Sequence, residues 1–143
     1  MHRIVRSALW MTVLPASAHA LMPPEVYRNA RAEAPYHVQI AITKVDAPRT
    51  GPGTCGVEGQ VLKIFKNATG SLSNDMTVGF AVACRHTGDA VPLGGTIWLN
   101  TDALEKADYM EVYLADTAEG LAVPLWNYKL ISKLSDEPQF PVD

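Results

Sequence analysis

Apolar and polar side chains alternate with a period of two along much of the chain, which predicts a β protein. Val38, Ile40 and Ile42 alternate with His37, Gln39, Ala41 and Thr43, giving a half-buried strand over residues 36–45. Residues 46–53 are dense in Pro and Gly and read as a loop. In residues 76–84, Met76, Val78, Phe80, Val82 and Cys84 take one face and Thr77, Gly79, Ala81 and Ala83 the other. The preceding stretch, residues 55–66, starts with Val57, Gly59 and Val61 on one face, then shifts parity to Leu62 and Ile64; a β-bulge at Val61-Leu62 reconciles its halves. The polar stretch 67–75, with Gly70 near its middle, joins the two as a hairpin. Folding the hairpin about that stretch sets Val57 opposite Val82, Gly59 opposite Phe80 and Cys55 opposite Cys84, so a bridge would close the open end.

Weaker patterns follow. Residues 96–99 read as a short strand with Trp98 in the core, and Asn100, Thr101 and Asp102 offer N-caps for a helix over 103–107, Asp102 with Glu105 resembling a capping box. Met110, Val112 and Leu114 alternate with Tyr109, Glu111 and Tyr113 in another strand, and a last strand over 121–131 changes parity beside Pro124. Residues 21–35 form a short helix or a leader segment bounded by prolines, and residues 132–143, with few apolar side chains, are expected to be a flexible tail. Five or six short strands and one helix before the penultimate strand suit an all-β domain over 36–131. It is expected to be a small, partly open antiparallel barrel of the OB type, with a β-sandwich as the alternative.

The N-terminus changes the setting. Arg3 and Arg6, an apolar run from Ala8 to Leu14, Pro15 and then Ala18-His19-Ala20 have the form of a signal peptide over 1–20, with the mature chain starting at Leu21. That run is shorter than the ~20 residues of a bilayer span, so no membrane insertion is expected after its removal. A periplasmic or secreted location makes Cys55 and Cys84 a disulfide, closing a loop of about 30 residues for about 3–4 kcal/mol. The whole chain carries 12 basic and 15 acidic residues; without Arg3 and Arg6 the balance is 10 to 15, a charge of −5 that argues against nucleic acid as a partner.

The segment from Gly56 to Lys66, the strand ending at Cys84 and the run from Tyr109 to Leu114 resemble netrin-like modules related to tissue inhibitors of metalloproteinases. The resemblance spans residues 36–131 and implies an OB-type fold. Those inhibitors use an N-terminal cysteine on the protease zinc. No cysteine precedes Cys55 here, so the inhibitory device does not carry over. The chain also looks like small exported bacterial proteins of unassigned function.

Candidate chemistry is sparse. The mature serines, Ser71, Ser73, Ser132 and Ser135, fall in the hairpin loop or the tail, and none sits in a nucleophile-elbow motif. His86 and Asp89 share a loop with Cys84, but bridging the thiol leaves two ligands where zinc needs at least three. His37 is expected at the surface, as are Glu58 and Glu111. Asn67-Ala68-Thr69 matches a glycosylation triplet short enough to arise by chance. Tyr109, Glu111, Tyr113 and Trp126, together with Arg85, are the candidate partner-binding residues, because rings that face outward on a barrel make contact surfaces; the alternative is that a helix, the leader segment or the barrel interior covers them. The expected function is a non-catalytic exported module without a cofactor that binds an envelope protein or small ligand. The alternatives are a metal protein or enzyme centred on His86 and Asp89, and a protease inhibitor acting through barrel loops.

Overall fold

The computed structural model describes residues 22–143; the signal pattern over 1–20 and the expected start at Leu21 lie outside the described residues. The chain runs through α1 (Pro24–Glu33), β1 (Tyr36–Asp46), β2 (Gly53–Asn67), β3 (Thr77–Arg85), β4 (Leu99–Asn100), α2 (Thr101–Lys106), β5 (Tyr109–Thr117), β6 (Gly120–Ala122), a 3-10 turn (Pro124–Trp126) and β7 (Tyr128–Ile131). One curled sheet in the order β4-β3-β2-β1-β5-β6 forms a partly open half-barrel, with β7 also paired to β5. The helix α2 stands before β5, and the leader segment resolves into α1.

The period-two patterns of the sequence become the two faces of this sheet. Val38, Ile40, Val57, Val61, Val78, Phe80, Val82, Met110, Val112 and Leu114 fill the concave side, joined by Leu104 of α2. The bulge expected at Val61-Leu62 is present: Gln39 pairs with Lys63 and Ile40 with Val61, so Leu62 is the extra residue. It keeps apolar side chains on the core side across the parity change.

The hairpin itself is corrected by two residues. Val57 faces Phe80, Gly59 faces Val78 and Cys55 faces Val82, while Cys84 faces Gly53. The cause lies in the connection. Asn67 accepts from the Leu72 amide and donates to the Leu72 carbonyl through its side chain, and buried Leu72 anchors the loop. The ladder with β3 therefore closes where Val61 exchanges hydrogen bonds with Asp75 and Met76, and the distal half of β2 pairs with β1 alone. A shift of two residues preserves every face. The Cys55–Cys84 disulfide survives as a diagonal cross-strand link with Cα atoms 5.8 Å apart, both residues buried.

Three other expectations change. The short strand forms only at Leu99–Asn100 and runs parallel to β3, and Trp98 is half-buried rather than fully in the core. The cap of α2 is Asn100, whose side chain accepts from the Ala103 amide at 2.9 Å, in place of Asp102. The long final strand is broken by Pro124, with Leu125 and Trp126 at φ of 46° and 54°, a left-handed turn that separates β6 from β7 along one edge of β5.

Gly59 is a point of close approach between β1 and β2. A methyl group there would stand 2.5 Å from Cδ1 of Ile40 and 2.9 Å from the Ala41 carbonyl oxygen. Because the second contact is backbone, the Gly59→Ala variant is expected to lose about 1–3 kcal/mol of stability in chemical denaturation. The Gly88→Ser variant, at an open loop position, tests strain alone through its φ of +84°.

Candidate functional site

The face of β1 and β5 that the alternation marks as polar is buried rather than exposed. His37 and Gln39 on β1 lie beside Glu111 and Tyr113 on β5, because the strands register Gln39 with Glu111 and His37 with Tyr113. His37 is 5% exposed and Glu111 0%. These residues correct two expectations: His37 and Glu111 are not at the surface, and Tyr113 is covered with them. What covers them is residues 132–143, the segment expected to be a free tail.

Glu111 is the centre of the arrangement. Its Oε1 accepts from His37 Nε2 at 2.7 Å and from the Phe140 amide at 2.8 Å; its Oε2 accepts from Gln39 Nε2 and the Gln139 amide, both at 2.8 Å. Four donors thus converge on one carboxylate. Gln39 also accepts from the Ser135 amide at 2.9 Å and donates to Ser135 Oγ at 2.9 Å. Tyr113 donates to the Phe140 carbonyl at 2.7 Å, so the main chain of Phe140 is held at both its amide and its carbonyl by side chains of one strand.

Rings wall the channel. His37 stacks on Tyr113 with centroids 3.9 Å apart and meets Phe65 at 5.0 Å, while Phe140 packs edge-on to Tyr113 at 5.8 Å. The Arg31 guanidinium of α1 lies over the Phe140 ring, 4.8 Å from its centroid, and donates to the Val142 carbonyl and to Asn127 Oδ1. At the rim Lys63 pairs with Asp136 at 2.7 Å, Lys129 donates to the Gln139 carbonyl at 3.2 Å, and Arg28 approaches Asp143 at 3.9 Å.

Electrostatics follow from this geometry. Burial alone would raise the Glu111 pKa, but the hydrogen bonds from Gln39, Gln139, Phe140 and His37 outweigh it and hold the carboxyl below its usual range. Burial lowers the His37 pKa against the opposing pull of Glu111, so the imidazole is neutral and Nε2 is the donor. The Tyr113 phenol is pushed up to about 12, chiefly by burial, and remains a donor at neutral pH. Imidazole beside carboxylate is an acid-base pair in other settings. Here both carboxylate oxygens are engaged by two donors each, and residues 135–140 lie on top.

The other candidates are scattered. Tyr109, half-buried, pairs with Ala41 and Ile131 one turn of the pleat from Glu111. Trp126 sits half-buried in the left-handed turn beside Asn127, and Arg85 is exposed at the end of β3. Asp89 accepts the His86 amide at 2.7 Å, and the His86 ring bonds the Pro48 carbonyl at 2.7 Å, which ties the 85–89 loop to the loop after β1. Among the described residues no group of three or more His, Cys, Asp or Glu is placed to hold a metal ion. Glu58 is exposed and reaches Lys44 at 4.0 Å, on a different strand pair from Glu111, so the two carboxylates do not meet. Sequence reasoning missed Arg31, Gln39, Ser135, Gln139 and Phe140. The available signal was His37 and Gln39 alternating with apolar neighbours as Glu111 and Tyr113 do four strands later.

Replacing Glu111 with Gln turns one acceptor oxygen into an NH2 facing donors. The Glu111→Gln variant is expected to lose about 2–4 kcal/mol and to show faster hydrogen exchange at the Gln139 and Phe140 amides, whereas Glu58→Gln stays within about 0.5 kcal/mol. Both shifted groups make stability fall on acidification. The lowered His37 pKa means the unfolded chain binds a proton first, so stability declines as pH drops below 6.5. The Glu111 contribution is present above its ordinary value of 4.5 and is lost as pH falls through the depressed one. Denaturation midpoints between pH 7 and 5 should slope downward in the parent and flatten in His37→Gln. Comparison of the chain with protein-family models and with curated proteins gives no match.

Proposed function

We propose that this chain is an exported, non-catalytic binding module of the periplasm or cell envelope that recognises a short polypeptide segment, and that the channel over β1 and β5 is its binding site. The observation that carries the reading is the grip on main chain: Glu111 takes two consecutive backbone amides, and Tyr113 donates to the carbonyl of the second residue. Side chains here do what an added strand's backbone does in β-augmentation, where main-chain bonds supply affinity and side-chain slots supply selectivity. The OB-type resemblance to netrin-like modules agrees with a binding role.

Export is supported by the signal pattern in the first 20 residues and by the buried disulfide. None of the helices among the described residues is long and apolar enough to cross a membrane. The absence of a catalytic role is supported by the engagement of His37, Glu111, His86 and Asp89 in structural bonds.

Lys63 stands at the channel rim and tolerates a probe, since its one ion pair is exposed. A Lys63→p-benzoylphenylalanine variant, irradiated in its native compartment, is expected to form an adduct with an envelope protein, mapped to residues lining the channel. Adducts confined to the chain's own tail, or a product retained in the cytoplasm with residues 1–20 attached, would overturn the proposal.

A further inference from the structure

Resting on that reading, the structure assigns the channel a ligand class: an acidic peptide of a partner protein that bends at a Gln-aromatic-Pro core, for which residues 133–143 of this chain are the resident intramolecular stand-in. The pattern is written in the tail itself. Gln139 and Phe140 supply the two successive amides that Glu111 requires, and Pro138 and Pro141, which have no amide hydrogen, bracket them and restrict the backbone on either side of the bend at Gln139 and Phe140. A proline at either inner position would remove a donor from a buried carboxylate. The aromatic slot is set by Arg31 above and Tyr113 beside Phe140.

Charge selects the flanks. Arg28, Arg31, Lys63 and Lys129 rim the channel, and the tail answers them with Asp136, Asp143 and the carbonyls of Gln139 and Val142. A free anion is a poor occupant, because the floor is itself a buried carboxylate that demands donors. The same demand means that the channel does not stand empty. Once the tail leaves, Glu111 and Gln39 are short of partners, so release favours direct replacement by a segment with the same donors.

The tether gives the tail an effective concentration of about millimolar, which a separate peptide must overcome. The stand-in therefore masks the site against weak or incomplete matches. Its attachment runs through Ser132 and Lys133, which are exposed, so the tail can be severed without touching the sheet.

The test uses the whole chain with a specific protease recognition sequence inserted between Ser132 and Lys133, and a fluorescein-labelled peptide of residues 133–143 as the probe. Before cutting, anisotropy is expected to show no saturable binding below about millimolar peptide. After cutting, with the far-UV spectrum and the disulfide intact, the labelled peptide should exchange into the channel. Peptides with Phe140→Ala or Gln139→Pro should bind at least about 10-fold more weakly, the loss of one buried contact. Asp136→Asn with Asp143→Asn should weaken binding severalfold and reduce its salt dependence. If the cut chain unfolds, the uncut Phe140→Ala chain replaces it, since a weakened resident tail should admit the parent peptide. A folded chain whose severed tail does not exchange, an uncut Phe140→Ala chain that takes no peptide, or a Gln139→Pro peptide that binds like the parent overturns the inference. Failure here is separable from failure of the binding role: a partner cross-linked in the channel through a segment without this core sinks the ligand class alone, whereas peptide exchange without any cross-linked partner sinks the role.

Discussion

A carboxylate removed from water must find donors, and Glu111 has organised this molecule around that need. An ionised side chain at 0% exposure with no cation in direct contact is tolerable only when its lone pairs are filled. Two of the donors come from the neighbouring strand and two from a segment nearly thirty residues further along the chain. The carboxylate thus couples sheet pairing to the seating of the C-terminus. Without the strand register that sets Gln39 opposite Glu111, the tail would meet a floor with the wrong spacing.

The sheet is consequently two-sided in an unusual sense for a small β domain. Its concave side is an ordinary apolar core, locked at one end by the Cys55–Cys84 bridge. Its other side, at β1 and β5, is a second buried layer built from an imidazole, the Gln39 amide, a carboxylate and aromatic rings. The first layer stabilises by area, which is indifferent to sequence detail. The second depends on direction, and each group in it has a defined partner.

Most of the concave layer was legible in the chain. Period-two alternation placed Val38, Ile40, Val78, Phe80, Val82, Met110 and Val112 on one side, and the parity break at Leu62 located a real bulge. The hairpin register was not legible, because it depends on how Asn67 folds the connection around Leu72, and a two-residue slip leaves the pattern unchanged. The candidate site was half legible. Glu111 and Tyr113 were singled out, but Glu111 was assigned to solvent with His37, since polarity along a strand does not reveal whether a later segment will cover it. The tail carried too few apolar residues to announce docking; its adhesion is through backbone amides, which every sequence possesses and composition cannot distinguish. The His86 and Asp89 pair misled for a similar reason: ligand-type side chains near each other also serve to cap turns.

The clasp between Arg31 and the Val142 carbonyl links positions 111 apart in the chain. A polypeptide that emerges amino end first presents the guanidinium long before its acceptor. Everything between them must already be threaded through before that bond can close. The clasp therefore closes late, and a chain interrupted between Asn127 and Val142 would leave Arg31 with the Asn127 side chain as its remaining acceptor.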